Sequence, residues 1–339
     1  MPVETVRYTV KKRFPTLGLD IRTPVNYNVM GLERYFVVLR FSDESRSAAP
    51  GILESLSSTS FLTYWVKSPS DLNYLSFFAV PVAVVDEFRR FMERLVEEKV
   101  LAEFRIERLE WSRHPELKSR FYDFGKGVWS LDWNEIAKHT EKPPSTLSVG
   151  EPSARPDIDV TDTLIIKELE LDSWRNIAEI ARKLKINERT LRWHYAKHVA
   201  PTALSSYVHW LPTSKEEVGK AAGLVYEFNN LSKKSVAELR TVVNNFPFAW
   251  FEAGRSDGYY QLQAAVPAGS LMEAVRFLGD QLSAYVGTWT AWTVDLSTSF
   301  WYTIPYENYD DEKGWFFEPE SALEKILPQK MKIKAQRRT

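Results

Sequence analysis

The chain has 339 residues, of which 44% are hydrophobic and 26% are charged, and its formal net charge at pH 7 is −1. This composition is typical of a globular protein with two or three domains, and no apolar run reaches the roughly 18 residues that a membrane-spanning helix needs. The absence of cysteine excludes disulfides and thiolate metal sites, and the N-terminus lacks an export signal, so we expect a cytoplasmic protein.

The first 30 residues carry a basic helical pattern. Between residues 5 and 19 every charged residue is basic: Arg7, Lys11, Lys12 and Arg13. Apolar residues recur every four positions and predict a buried stripe: Val6, Val10 and Phe14. We therefore expect residues 1–30 to hold one helix, with Arg7 and Lys11 on its exposed side, and a connector.

Residues 31–137 predict one α/β domain with the order β-α-β-β-α-β. Strands are predicted at Tyr35–Phe41, Phe61–Lys67, Asn73–Val80 and Leu101–Leu109, and helices at Gly51–Ser58 and Val82–Lys99. The last strand alternates apolar and charged side chains, and the second helix has apolar residues at helical spacing. Residues 138–158 are rich in proline, serine and charge, which predicts a linker.

Residues 159–200 predict three short helices. Asp159 and Asp162 have the spacing of a capping box for a helix that runs to about Leu171. The segment Ile177–Leu184 is the second helix, and Asn187 follows it as an N-cap for a third helix, Glu188–Val199. A tight turn between the second and third helices is the arrangement of a helix-turn-helix.

The charges of the third helix point to nucleic acid. Between Arg182 and His198 there are six basic residues and one acid. The buried side is predicted from residues four apart: Leu191, Tyr195 and Val199. The opposite side holds the candidate DNA contacts: Arg189, Thr190, Arg192, Trp193 and Lys197. Because phosphate neutralisation supplies most DNA affinity, this cationic side predicts binding to double-stranded DNA.

Two histidines on the third helix also have the spacing of zinc ligands. His194 and His198 lie four residues apart, which places both on one helix face. No cysteine or obvious third ligand lies near them in the sequence, so we predict no metal site and interpret both histidines as polar, DNA-facing residues.

Residues 201–318 predict a second α/β domain. Strands are predicted at Leu224–Phe228, Phe248–Ala253, Tyr259–Val266 and Trp289–Leu296, and a helix at Val236–Asn244. A further helix opens at Ser270, which forms a predicted capping box with Glu273. Residues 319–339 form a basic tail, either a flexible arm that contacts DNA or a solvated end.

The two α/β domains are copies of one unit. Thr5-Val6-Arg7-Tyr8 corresponds to Thr190-Leu191-Arg192-Trp193, and Ala79-Val80-Pro81 corresponds to Ala265-Val266-Pro267. The first copy therefore begins inside its third helix, and roughly 25 to 30 residues of a complete first motif are expected to be missing. The predicted fold is α+β, with two ferredoxin-like sandwiches and a central helix-turn-helix.

The central segment resembles the Lrp/AsnC family of transcription regulators. The residues that carry the resemblance are Asp159, Asp162, Ile165, Ile166, Leu169, Glu179-Ile180-Ala181 and Thr190-Leu191-Arg192. The family's Gly-x-x-Asp-Tyr hairpin is similar to Gly254-Arg255-Ser256-Asp257, followed by Tyr259 and Tyr260. In the first copy, Ser68-Pro69-Ser70-Asp71 keeps the acid and lacks the glycine.

The resemblance implies a transcription regulator in tandem form, with a truncated first helix-turn-helix. In that family the ligand domains pair, and small effectors such as amino acids bind near the paired sheets. The expected effector residues are Gly254, Asp257 and Asp71, the alternative being that the two acids only stabilise turns. The resemblance also implies pairing of the two sandwiches within the chain, or a homo-oligomer.

Two other functions remain open. One is a ligand-sensing or assembly protein whose DNA-binding heads are vestigial. The other is an enzyme, since some proteins similar to this family, including fused two-copy forms, decarboxylate modified tetrapyrroles. That chemistry needs a cationic pocket and a proton donor such as histidine or tyrosine. The five histidines lie outside the predicted sandwich elements: His114, His139, His194, His198 and His209. We therefore predict that the chain is not an enzyme and uses no cofactor.

Overall fold

A computed structural model describes most of the chain. The described residues are 2–13, 20–116, 118–123, 126, 128–139, 141–143, 152–153, 156–204, 208–210, 221–283 and 289–336. Phe14 and most of the predicted linker lie outside these ranges. Within them, no helix combines the length and apolar character needed to cross a membrane.

The described residues form fifteen strands and ten α-helices. The strands are β1 (Asp20–Arg22), β2 (Leu32–Phe41), β3 (Leu62–Ser68), β4 (Asn73–Pro81), β5 (Leu101–Leu109), β6 (Trp111–Arg113), β7 (Tyr122–Asp123), β8 (Val128–Trp129), β9 (Val208–Trp210), β10 (Ala221–Phe228), β11 (Ala249–Gly254), β12 (Tyr260–Pro267), β13 (Trp289–Trp301), β14 (Tyr309–Asp310) and β15 (Gly314–Trp315). The α-helices are α1 (Val3–Tyr8), α2 (Ala49–Thr59), α3 (Val85–Glu97), α4 (Trp133–Lys138), α5 (Val160–Leu171), α6 (Ile177–Leu184), α7 (Glu188–His194), α8 (Lys233–Asn245), α9 (Leu271–Leu282) and α10 (Pro319–Gln336). A π-helical segment follows α1 at Thr9–Arg13, and another follows α7 at Tyr195–Ala203.

These elements form two compact units, which we name after their first long strands. The β2 unit contains Thr23–Leu109, Val149–Ser206 and Ser299–Thr339. The β10 unit contains Met1–Arg22, Glu110–Ser148 and Tyr207–Thr298. Strand pairs in both units are antiparallel, which confirms the predicted α+β class.

The β2 unit is built on four strands in the order β5-β2-β4-β3. Strand β2 alternates between the two faces of this sheet, and α2 and α3 contribute to a core on one of them. Leu53 of α2 and Leu95 of α3 are fully buried in the same cluster as Val37 and Leu39 of β2. Burial of this apolar cluster is the main force that holds α2 and α3 to the sheet.

The central helices α5, α6 and α7 share the core of the β2 unit. Ile165, Ile180 and Leu191 are each 0% exposed and belong to that cluster. Helix α10 joins the same core through Leu323 and Ile326. The prediction of a solvated or flexible tail is therefore wrong for the first half of α10; the side chains from residue 330 onward lie outside the described part.

The β10 unit repeats the strand order of the β2 unit and adds one edge strand. Its strands follow the order β13-β10-β12-β11-β6. Helices α8 and α9 cover one face, where Leu239 and Leu278 are buried beside Phe228 and Leu262. Helix α4 adds to this core, since Ile136 is 1% exposed and the Trp133 ring lies 5.3 Å from that of Phe277.

Two segments group differently from the predicted domains 31–137, 159–200 and 201–318. Residues 110–138 lie in the β10 unit, because β6 pairs with β11 with Arg113 opposite Glu252. Residues 299–318 lie in the β2 unit, where the amide of Tyr302 donates to the carbonyl of Thr63 at 2.8 Å. Strand pairing and core contacts decide this grouping, and neither is visible in local sequence patterns.

The predicted capping box at Ser270 is wrong. The Ser270 side chain forms no cap hydrogen bond with α9. The Glu273 carboxylate instead accepts a hydrogen bond from the Trp133 indole at 2.9 Å. The Glu273 side chain, which the local pattern assigned to a capping box, is thus engaged in a tertiary contact with α4.

Candidate nucleic-acid interface

Side-chain caps determine where the three central helices begin. Asp159 accepts a hydrogen bond from the Asp162 amide at 2.9 Å, and the Asp162 carboxylate accepts one from the Asp159 amide at 3.1 Å. Asn176 and Glu179 repeat this arrangement at the start of α6. Asn187 caps α7 by accepting from a backbone amide two residues on, at 2.9 Å. Because caps satisfy the free amides of a first helical turn, these starts are encoded locally.

A tight turn connects α6 to α7. Lys185 adopts the left-handed conformation with φ 58° and ends α6, and the Ile186 amide donates to the Ala181 carbonyl at 3.1 Å. Helix α7 then starts after Asn187, and Leu191 fixes one side of it in the core. The opposite side of α7 therefore faces solvent.

That solvent-facing side carries the predicted DNA contacts. All five are exposed, and we call them the cationic face: Arg189, Thr190, Arg192, Trp193 and Lys197. Arg192 forms an ion pair with Glu188 at 2.6 Å while its side chain stays 60% exposed. Among the described residues, none forms a hydrogen bond or ion pair with the side chain of Arg189 or Lys197. Their charges are thus accessible to an anionic partner.

The acidic residues of α5 are turned away from solvent and partnered. Asp162 is 0% exposed and Glu168 is 4% exposed. Glu168 forms ion pairs with Arg175 and with Lys183, the latter at 2.7 Å. Since each buried acid has its own partner, the negative charges of α5 oppose an approaching phosphate less than their number in the sequence suggests.

A third acid of α5 links this helix to other parts of the β2 unit. Glu170 accepts hydrogen bonds from the hydroxyl groups of Tyr27 at 2.7 Å and Tyr306 at 2.8 Å. Burial raises the pKa of Glu170 to about 7, against the opposing effects of the two tyrosine hydrogen bonds and of Arg34. The cluster holds α5 against the segments of the β2 unit that contain Tyr27 and Tyr306.

The prediction that His194 and His198 face DNA is wrong. Nδ1 of His194 lies 3.0 Å from one carboxylate oxygen of Asp162, and Nδ1 of His198 lies 2.9 Å from the other. Both imidazoles therefore connect α7 and its π-helical extension to α5. The three-dimensional partner of the two histidines is Asp162, which lies more than 30 residues earlier in the chain and was assigned only to the capping box.

The N-terminal helix does not bury Val6, the first residue of the predicted stripe, and the side chain of Val10 lies outside the described part. None of the residues of α1 is buried, and Val6 is 45% exposed. Arg7 forms an ion pair with Glu4 at 2.8 Å, with its side chain 61% exposed. Lys11 is also exposed. Phe14, the third residue of the predicted stripe, lies outside the described residues.

Two of the expected effector residues, Asp257 and Gly254, have structural neighbours within the β10 unit. Asp257 accepts hydrogen bonds from the Arg255 side chain at 2.8 Å and the Tyr259 amide at 3.1 Å. The hydrogen bond from Arg255 lowers the pKa of Asp257. A Cβ at Gly254 would lie 2.5 Å from the Trp111 ring, so packing accounts for this glycine.

Asp71, the remaining effector candidate, belongs to a turn of the β2 unit. Its carboxylate accepts hydrogen bonds from the backbone amide and the side-chain amide of Asn73, at 3.3 and 3.0 Å. This is an Asx turn, which acids of this kind form without any ligand. Asp71 and Asp257 belong to different units, and effector binding at either remains a prediction.

A buried ionic cluster in the β10 unit was missed by the sequence analysis. Glu252 is 0% exposed; it accepts hydrogen bonds from Arg113 at 2.5 Å and from the Tyr260 hydroxyl at 2.6 Å, and Arg240 lies 3.5 Å away. Burial raises the pKa of Tyr260 well above its usual value. Next to Arg113, His114 lies with Nδ1 2.9 Å from the Trp250 carbonyl of β11. The expectation that every histidine avoids the sandwich sheets is therefore wrong for His114.

Comparisons with known proteins identify a shared fold, but they do not assign the chain to a family. No protein-family model matches the chain, and no curated protein matches it. Among solved structures, the siroheme decarboxylase NirDL in complex with an iron-uroporphyrin III analogue is similar with a TM-score of 0.50 and 11% identity. The match covers 97% of this chain and 90% of that chain. At this identity the likeness shows a shared fold and nothing further.

Two further structures match over a shorter part of the chain. LrpC of B. subtilis has 19% identity and a TM-score of 0.31, covering 40% of this chain and 94% of that chain. A transcriptional regulatory protein of the AsnC family from Pyrococcus furiosus has 13% identity and the same TM-score, covering 40% and 88%.

These comparisons correct the prediction that the chain is not an enzyme. A solved structure that matches nearly the whole chain is that of a decarboxylase. The predicted fold is thus also the fold of an enzyme, so the positions of the five histidines were not sufficient to exclude catalysis.

Proposed function

We propose that this chain is a DNA-binding transcription regulator of Lrp/AsnC type, acting in the cytoplasm, with two ferredoxin-like sandwiches and a central helix-turn-helix. The observation that carries the proposal is the exposed cationic face of α7, whose reverse side is anchored in the core by Leu191. A helix held in this way presents a rigid row of cations, which is what docking into a DNA groove requires.

The positions of the face residues along α7 suggest a division of roles. Arg189 and Thr190 lie in the first turn, and the N-terminal residues of a recognition helix are those that reach base edges. Arg192 follows on the same side and is proposed to contact a base or a phosphate, and Trp193 supplies an exposed apolar surface. Lys197 lies a turn further on and is proposed to contact a phosphate.

Local charge has to supply the affinity, because the whole chain has a net charge of −1. The cations around the turn add to the face, since Arg182 and Lys185 are exposed. The acids of α5 are buried with partners, so they take little away from this positive patch. Arg7 and Lys11 of the N-terminal segment are proposed as secondary phosphate contacts.

The test measures binding of the intact chain to duplex DNA as a function of salt. The triple variant Arg189→Ala, Arg192→Ala, Lys197→Ala is compared with Arg90→Ala, which removes an exposed cation of α3 outside the cationic face. We expect the triple variant to lose affinity and the Arg90 variant to bind like the wild type. Equal affinity of the triple variant and the wild type would exclude the cationic face as the contact.

A second candidate function is decarboxylation of a polycarboxylate tetrapyrrole, as the likeness to NirDL over nearly the whole chain favours it. Such a reaction needs cations for the substrate carboxylates and a proton donor. The cluster around Glu252 has both types of group, with Arg113, Arg240 and the imidazole of His114. The Nη2 atom of Arg113 is buried and lacks a hydrogen-bond partner among the described residues, which leaves a donor for a carboxylate.

This second candidate is tested with iron-uroporphyrin as the probe. A shift of its absorbance on addition of the chain reports binding, and mass spectrometry of the recovered tetrapyrrole reports loss of carbon dioxide. We expect Arg113→Gln to abolish the shift and Arg276→Gln, an exposed control on α9, to preserve it. An unchanged absorbance with the wild-type chain would exclude this function at the cluster.

A further inference from the structure

Three side chains from two helices converge next to the cationic face. His194 and His198 lie side by side with ring centroids 5.7 Å apart. Their Nδ1 atoms approach different oxygens of Asp162, at 3.0 and 2.9 Å. One ligand atom from each of the three side chains lies within 4.8 Å of the other two. Two imidazoles and a carboxylate are the donor types found in zinc and other transition-metal sites.

The spacing of these atoms is close to that of a coordinated ion. With metal–ligand bonds of about 2.1 Å, the ligand atoms of a tetrahedral site lie about 3.4 Å apart. The two distances from Nδ1 to Asp162, 2.9 and 3.0 Å to different oxygens of the carboxylate, are a few tenths of an ångström shorter than this. The three ligand atoms already lie within 4.8 Å of one another, so rotation of these side chains would adjust their spacing to an ion.

A fourth donor is available beside the first three. Oδ2 of Asp159 lies 3.5 Å from Nδ1 of His194, while Oδ1 of Asp159 is engaged with the Asp162 amide. Two carboxylates and two neutral imidazoles would balance the charge of a divalent cation and complete four-coordination. The capping box thus holds both acids in the orientation that such a site requires.

Burial and cover also suit a bound ion. Asp162 is 0% exposed, and the side chains of His194 and His198 are 12% and 25% exposed. An ion can therefore enter from the side of His198. The Trp193 ring lies 5.0 Å from each imidazole ring and shields them in part. The site is enclosed enough to exclude most water and open enough to load.

We propose that Asp162, His194 and His198, with Asp159 as a fourth donor, bind a divalent transition-metal ion such as Zn²⁺. An Nδ1 atom coordinates an ion only through its lone pair, so each imidazole would carry its hydrogen on Nε2 in the bound state. The ion ties α7 and its extension to α5. The site stands whether or not the cationic face binds DNA.

The experiment titrates the intact, chelator-treated chain with CoCl₂ and follows the visible d–d absorption of the bound ion. We expect one equivalent to bind with the intense bands of low-coordinate Co²⁺, and ZnCl₂ to displace it. His194→Gln, His198→Gln and Asp162→Asn should each abolish stoichiometric binding. His139→Gln is the matched control, because His139 also lies within 4 Å of a carboxylate, that of Glu135 at 3.7 Å, and it should bind like the wild type.

A second readout covers variants that fold poorly. Co²⁺ quenches nearby indole fluorescence, so the wild type should lose a share of its emission that Trp193→Phe no longer shows. Circular dichroism identifies any variant that has lost its helices. The proposal is overturned if the wild type binds no stoichiometric Co²⁺, or if folded His194→Gln and His198→Gln bind it with unchanged affinity.

Discussion

The third helix of the central module and the N-terminal helix carry one short sequence pattern in two different settings. Leu191 of α7 is 0% exposed, whereas its counterpart Val6 of α1 is 45% exposed. Asn187 caps α7 with its side chain, whereas Pro2 provides no side-chain cap for α1. The pattern Thr-x-Arg-aromatic is thus not sufficient for a packed recognition helix. Caps and neighbouring helices supply what the pattern lacks.

The largest expected effect is the loss of stability on truncating a core side chain of α7, compared with the same kind of truncation in α1. Leu191→Ala should lower the free energy of unfolding by about 2–5 kcal/mol, because it leaves a cavity between α7 and its neighbours. Val6→Ala should change it by no more than about 0.5 kcal/mol, since Val6 is largely exposed. Urea unfolding of the intact chain measures both. Equal effects would mean that α1 has a buried partner after all.

The next expected effect concerns the pH dependence of the central module. Because Glu170 has a pKa of about 7 when folded, against 4.5 for an ordinary glutamate, the folded chain holds this proton more tightly than the unfolded chain. Its contribution to the free energy of unfolding should therefore fall as the pH rises from 4.5 to 7, by about 3 kcal/mol.

The matched variant for this prediction is Glu170→Gln. The amide has the size of the carboxyl group and removes the titration, and its single oxygen keeps an acceptor for one of the two tyrosines, Tyr27 or Tyr306. Chemical unfolding at several pH values should show a smaller fall for the variant than for the wild type. An equal change in the free energy of unfolding between pH 4.5 and 7 in the wild type and in Glu170→Gln would contradict a raised pKa of Glu170.

A smaller effect separates the two helices by their contribution to DNA binding. Arg192→Ala should weaken binding by about 1–3 kcal/mol if it contacts a base, and less if it contacts a phosphate. Arg7→Ala should weaken it less than Arg192→Ala, because α1 has no buried residue to hold it in place. Fluorescence anisotropy with labelled duplex DNA measures both. A larger loss for Arg7→Ala would make the N-terminal helix the principal contact.

The smallest expected effect is the loss of stability on removing the side-chain cap of α7. Asn187→Ala should lower the free energy of unfolding by about 1 kcal/mol, because an amide of the first turn of α7 loses its acceptor. Asn187→Ser should restore most of this loss, since serine also caps helices. Thermal unfolding of the three proteins gives the comparison, and an alanine variant as stable as the wild type would show that the cap is dispensable.

Local chemistry made much of the fold predictable. The caps at Asp159 and Asn187 depend on neighbours a few positions away, and the structure contains both. Strand β5 also forms where it was predicted, but its burial does not alternate, since Ala102 is exposed and residues 104–108 are all half-buried. Contacts between distant segments were not predictable in the same way. The Trp133 indole donates a hydrogen bond to the Glu273 carboxylate, and Ile326 of the expected tail is buried in the core of the β2 unit.

In the candidate site too, features that depend on local spacing were predictable and contacts between distant residues were not. Exposure of the cationic face followed from helical spacing, because Leu191 and Val199 determine which side of the helix is buried. The contact of His194 and His198 with Asp162 joins residues more than 30 positions apart. The spacing of the two histidines was visible in the sequence, but no pattern indicated which acid would face them.

The central claim is that the cationic face of α7 binds duplex DNA, and the salt dependence of binding by the intact chain tests it most directly. The logarithm of the association constant is plotted against the logarithm of the salt concentration. The slope of this plot should be steeper for the wild type than for the triple variant Arg189→Ala, Arg192→Ala, Lys197→Ala. Removing Arg189, Arg192 and Lys197 together should reduce the slope by about 2.7 if all three contact phosphates, at roughly 0.9 for each contact. Identical slopes for the triple variant, the Arg90→Ala control and the wild type would contradict the account.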